Sequence, residues 1–272
     1  MPDVQEVFHM ATQKVRPDPG ALERQYRDQR RHVAKQHVAV FALIAALVIG
    51  GVTFAIGALR SGDKSTNAGA TVTPTPVPLA TEGPLKPGTY VIRTLDRDFD
   101  ASHRITIEVP AGYEGSRGGF AVLRINRTGQ MAVSAWVIGD IYGDACKWSG
   151  TLLDRSTVSS IDGVVAALAG QRGLRTSTPT DVTVDGYAGK FIERTVPPGT
   201  DLSACTRDEF RPWLGTHGGT RFLEPGQRDR LWILDVDGIP LVIDASLGGP
   251  GTSAQARAEH IQIAESVQID PR

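Results

Sequence analysis

Residues 230–245 read Arg230-Leu-Trp-Ile-Leu-Asp-Val-Asp-Gly-Ile-Pro-Leu-Val-Ile-Asp-Ala245. Two apolar runs flank Asp237-Gly238. A type I′ turn needs positive φ at both central residues, a demand that Asp-Gly meets at little cost. The stretch is therefore expected to fold as an antiparallel hairpin joining Arg230–Val236 to Pro240–Ala245. Both faces of Leu231-Trp-Ile-Leu234 are apolar, so this strand is expected to be central in its sheet and covered on both sides.

The same reasoning extends outward. Asp185-Gly186 predicts a second hairpin, of Asp181–Val184 with Tyr187–Val196. Upstream, Thr89–Thr94, Arg104–Pro110, Phe120–Ile125 and Met131–Ile138 read as strands. Ile105, Ile107 and Val109 alternate as a half-buried strand does, and Asn126–Gly129 supplies a turn. Val158, Ile161, Val164, Val165 and Leu168 share one helical face, which Gly170 or Gly173 ends. Ala254, Ala258, Ile261 and Ala264 mark a closing helix with Thr252 or Ser253 as N-cap, and Ser266–Ile269 is expected as a last strand. The fold class is α+β: a twisted antiparallel sheet packed by two or more helices, spanning residues 88–272.

Ahead of this domain the composition changes twice. Residues 60–87 are rich in Pro, Thr and Ser, as in Thr71-Val-Thr-Pro-Thr-Pro-Val-Pro78. Such a segment buries too little apolar surface to fold and is expected to be a disordered linker. Residues 38–59, Val38 to Leu59, carry no charge. At about 1.5 Å per residue they match the roughly 30 Å of bilayer hydrocarbon, so one transmembrane helix is expected, an uncleaved signal-anchor. Arg24, Arg27, Arg30, Arg31 and Lys35 precede it, whereas only Arg60 and Lys64 follow closely. Positive charge stays inside, which makes residues 1–37 a cytoplasmic basic helical tail and residues 88–272 extracytoplasmic. The expected location is the cell membrane, single-pass, with the lipid bilayer as one partner.

The chain has a net charge of −1, which argues against nucleic-acid binding. Cys146 and Cys205 both fall outside the membrane on this topology, where one disulfide is the simplest outcome. No spacing of Cys and His suggests a metal site, and no cofactor motif is present. No catalytic residues are assigned. The six histidines are expected to be exposed or locally bonded, and Asp237 to cap its own turn. One loop is a candidate ligand-facing surface: Asp140, Tyr142, Asp144 and Trp148 place two aromatic rings and two carboxylates beside the expected disulfide. In the tail, Val4, Phe8, Ala11 and Val15 form an apolar stripe, a candidate docking face through which residues 1–20 would hold a cytoplasmic protein partner.

Asp3-Val-Gln-Glu-Val-Phe8 and Pro17-Asp-Pro-Gly-Ala-Leu-Glu-Arg24, ahead of a basic stretch and an apolar helix, resemble the tails of actinobacterial single-pass proteins associated with sigma-factor systems. That resemblance implies a partner-docking tail, although the chain lacks the His and Cys pair of zinc-type anti-sigma domains. Val109-Pro-Ala-Gly-Tyr113, Gly186-Tyr-Ala-Gly-Lys190, Arg230–Gly238 and Leu241-Val-Ile-Asp-Ala245 resemble exported actinobacterial domains. The order of elements, ending in a helix and Ser-Val-x-Ile, is similar to the Mog1/PsbP-like α+β sandwich. These motifs are structural, and the resemblance implies no catalytic residue. The function expected is a membrane-anchored extracytoplasmic binding or sensing module for an envelope ligand, coupled to a cytoplasmic partner. An envelope enzyme with an unrecognised site and a purely structural envelope protein are the alternatives.

Overall fold

The computed structural model describes residues 75–79, 82–126, 129–248 and 252–272. All of them fall in the unit Ala70–Arg272. The tail, the apolar stretch 38–59 and the docking stripe Val4, Phe8, Ala11 and Val15 lie outside the described residues. Among the described residues no helix is long and apolar enough to cross a membrane.

In chain order the elements are β1 (Val77–Pro78), β2 (Gly83–Pro84), β3 (Gly88–Ile92), α1 (Arg97–Ser102), β4 (His103–Val109), β5 (Glu114–Gly115), β6 (Ala121–Asn126) and β7 (Gly129–Ile141). They continue with α2 (Ile161–Gly170), β8 (Arg175–Thr176), β9 (Thr180–Val184), β10 (Tyr187–Thr195), β11 (Trp213–Gly215), β12 (Arg228–Val236), β13 (Ile239–Leu247), α3 (Ala254–Glu265) and β14 (Gln268–Pro271). The class is α+β with mostly antiparallel pairing. The expected single sheet is in fact two. The larger runs β2-β5-β6-β7-β13-β12-β10-β8, with β11 on β7 and β9 on β10, and the smaller runs β1-β3-β4-β14.

The hairpin of residues 230–245 sits at the centre of the larger sheet. Asp237 and Gly238 have φ of 52° and 83°, as a type I′ turn requires. β12 lies between β13 and β10 and is covered on both faces. Trp232 and Leu234 enter one core with Ile92, Ile105, Ile107, Ile263 and Ile269, contributed by the small sheet and α3. Leu231 and Ile233 enter a second core with Val164, Val165 and Leu168 of α2 and with Trp136 and Trp213. Alternation along one strand thus feeds two cores. Each long helix is capped by a serine: the Ser160 hydroxyl accepts from Gly163 N–H, and the Ser253 hydroxyl, one of the two caps expected there, from Ala256 N–H.

The ordered fold begins before Gly88. Val77–Pro78 pairs in parallel with Tyr90–Val91, Leu79 N–H donates to Val91 O at 2.9 Å, and Gly83–Pro84 pairs with β5. The prolines that suggested a linker are tolerated because β1 is an edge strand. Helix α1 is a second departure from expectation. Its six residues are too few to show a period, and Asp96 caps it by accepting from Phe99 N–H.

Candidate functional site

The expected disulfide is present: Cys146 is bonded to Cys205. It ties the segment after β7 to the 3-10 turns after β10, around Ala145, Val196, Phe210 and Leu223. Of the four loop residues singled out by sequence, two come together. Tyr142 and Trp148 have ring centroids 5.8 Å apart. Their faces are already occupied. The Arg211 guanidinium lies 4.0 Å over the Trp148 ring, and Trp148 Nε1–H donates to Thr206 O at 3.0 Å. Asp144 turns back on its own loop, accepting from Cys146 and Lys147 N–H, and pairs with Arg172. Asp140 lies apart, 3.3 Å from Arg155, in a shallow hollow of about 460 Å³ that also includes Thr216 and Pro240.

Two histidines depart from expectation by being buried. His103 stacks on Phe99 at 4.6 Å, with Nδ1 2.8 Å from Ser102 Oγ and Nε2 3.0 Å from Asp237 Oδ2. Asp237 therefore grips a residue 134 positions away, while Asp235 accepts from Gly238 N–H and so caps the turn. Ser, His and Asp in line have the composition of a hydrolase triad, but a hydroxyl has one proton. The Ser102 hydroxyl already lies within donating range of the helix carbonyls of Asp98 and Phe99, at 3.0 and 3.2 Å. The three groups act as a strut between α1 and the β12–β13 turn. His260, on α3, is buried, and burial pushes its imidazole down to about 4.

A buried ionic cluster lies on the α2 side of the sheet. Arg194, wholly buried, donates to Asp229 at 3.2 Å and to Gln171 at 3.0 Å. Arg221 bridges Asp244 at 2.7 Å and Asp229 at 3.1 Å. Burial pushes the Asp244 carboxyl up to about 6, against the pull of Arg221. Burial lowers Arg194, while Asp229 and Asp244 oppose that shift. Gln171 also donates to the Tyr142 and Pro212 carbonyls, so the cluster fastens β7, β10, β12, β13 and the end of α2. With both arginines paired to buried carboxylates, its chemistry is that of a structural clamp.

A cleft of about 720 Å³ lies where the chain enters the small sheet. Ile92, Ile105 and Ile269 occupy matched positions of β3, β4 and β14 and point into the core. The next residue along each strand points outward, which puts Arg93, Arg104 and Asp270 on the opposite face. Arg272, two residues past Asp270, lines the same cleft. Pro76, Pro78 and Leu79 form an apolar wall beside these arginines. Gly119 sets that wall. Its φ is +71°, and a Cβ there would lie 2.0 Å from Leu79 O. Sequence reasoning missed the cleft because its parts lie up to 196 positions apart, from Pro76 to Arg272. The local signal that existed was an Arg next to an inward Ile in both β3 and β4.

No family model and no curated protein matches the chain. Among solved structures, the chain is similar to the crystal structure of LpqN, involved in cell envelope biogenesis of Mycobacterium tuberculosis. The match has 9% sequence identity and a TM-score of 0.35, and covers 68% of this chain and 91% of that one.

Proposed function

We propose that the chain is a membrane-anchored binding module. Its folded domain is displayed outside the membrane and takes an envelope ligand in the cleft beside β1. The uncharged stretch 38–59 and the basic residues before it support the topology. The observation that carries the reading is the cleft itself: about 720 Å³ of space with an apolar wall, three guanidinium groups and the Asp100 carboxylate, built where β1, β3 and β4 meet the end of the chain. That size and mixture are those of a ligand site. The tail, residues 1–20, would report to a cytoplasmic protein through Val4, Phe8, Ala11 and Val15, as a tail of the sigma-factor-associated kind would.

Hydrogen exchange on the full-length chain in nanodiscs tests the binding reading. With a total envelope extract added, exchange is expected to slow at residues 77–79 and 90–93. Unchanged exchange across the whole domain would overturn it. The tail is tested separately: a protein retained by residues 1–20 is expected to be lost when Val4 and Phe8 are both replaced by Asp.

A further inference from the structure

We infer that the cleft beside β1 takes an anionic amphiphile, a carboxylate or phosphate head on an aliphatic chain; this rests on the binding reading above. Three observations carry it. The first is charge placement. Ile92 pairs with Ile105 across antiparallel β3 and β4, and Arg93 and Arg104, each next to one of these residues, line one cleft with Arg272. Three guanidinium groups against the one Asp100 carboxylate give the lining an excess of positive charge, which favours an anion.

The second is an excess of donors. A guanidinium offers five N–H groups. Arg93 Nε lies 3.6 Å from Asp100 Oδ2, beyond hydrogen-bond length, so its donors stay open beside that carboxylate, which lines the same cleft. Arg104 spends one donor on Asp270, and both side chains are about half exposed, so an incoming anion can replace that contact. Arg272 has no carboxylate partner among the described residues. The donors that remain suit a planar carboxylate or a phosphate.

The third is the wall. Pro76 and Pro78 have no N–H to offer, and with Val91 they present aliphatic surface beside the charges. Among the described residues no aromatic ring lines the cleft. Head and chain are therefore recognised by adjacent halves of one groove.

Photolabelling of the full-length chain in phosphatidylcholine vesicles tests this. Three probes of equal chain length carry the same diazirine: free hexadecanoate, hexadecanol, and a phosphatidate built into the bilayer. Anionic probes are expected to label residues 76–93 at least about tenfold above the alcohol. Replacing Arg93→Gln and Arg104→Gln together is expected to bring them down to the alcohol level. Unlabelled dodecyl phosphate should compete in the unaltered chain, a readout that needs no variant. Labelling by the phosphatidate alone would support a lipid headgroup as the source, and labelling by the free acid alone would support a soluble one. Equal labelling by acid and alcohol, or adducts confined to other segments, would overturn the inference. If the envelope extract still protects residues 77–93 in that case, the ligand class falls and the binding reading stands. If neither effect is seen, both fall.

Discussion

Asp244 and His260 are buried titratable groups whose effects on stability run in opposite directions. The Asp244 carboxyl is raised to about 6 by burial, above its value in an unfolded chain. Between about pH 4 and 6 the folded state holds the extra proton, so this group's contribution to stability falls as pH rises through that window. Asp244→Asn cannot titrate. Urea midpoints should show the variant gaining on the unaltered protein between pH 4 and 6, with no further change above; a constant difference would refute this. The His260 imidazole is lowered to about 4 by burial, so the unfolded chain binds its proton first. Stability from this group is present above about pH 6.5 and is lost as pH falls toward 4. His260→Leu is therefore expected to gain on the order of 2 kcal/mol more at pH 5 than at pH 7.5. Neither burial was read from the sequence. For Asp244 a cue existed: an acid inside the run Leu241-Val-Ile-Asp-Ala245, in a strand covered on both sides, requires a buried cation. Which cation it finds depends on the pairing of β10 with β12, and that is decided across the sheet.

Hairpins and long helices were legible because their causes are local. Asp185-Gly186 and Asp237-Gly238 adopt the positive φ their turns need, and Ser253 caps α3. Ser253→Ala should cost about 1 kcal/mol in thermal or urea unfolding, and Ser253→Gly less. Strands β1, β2 and β5, at two residues each, and helix α1 were illegible because tertiary pairing holds them and no period of their own marks them. Two glycines separate local from tertiary causes. At Gly238 a Cβ would meet nothing within 4 Å, so Gly238→Ala carries only the positive-φ penalty of about 1 kcal/mol. At Gly119 the same atom would strike Leu79 O, so Gly119→Ala should cost about 3 kcal/mol or more, or release β1. In hydrogen exchange, loss of protection confined to residues 77–79 and 91–93 would mark that release.

Across the whole molecule, the pairing of Cys146 with Cys205 was readable because two thiols in a chain expected to be exported are most simply joined in one bridge. The 59-residue separation makes the bond worth up to about 4 kcal/mol on a chain-entropy account. Replacing both cysteines by Ser should lower the melting temperature to that of the reduced protein, and reductant should then have no further effect. The two-sheet arrangement was not readable, since β14 joins β4 from the far end of the chain and no local pattern announces that neighbour. The parallel pairing of β1 with β3 also has a mechanical consequence. Any pull applied ahead of Pro76 would reach the domain through Val77, Pro78 and the amide of Leu79. Two prolines leave that short ladder few rungs, so tension along the chain would strip β1 long before the sheets yielded. Stripping it would dismantle one side of the cleft, so the shape of that groove depends on how slack the chain ahead of Pro76 is held.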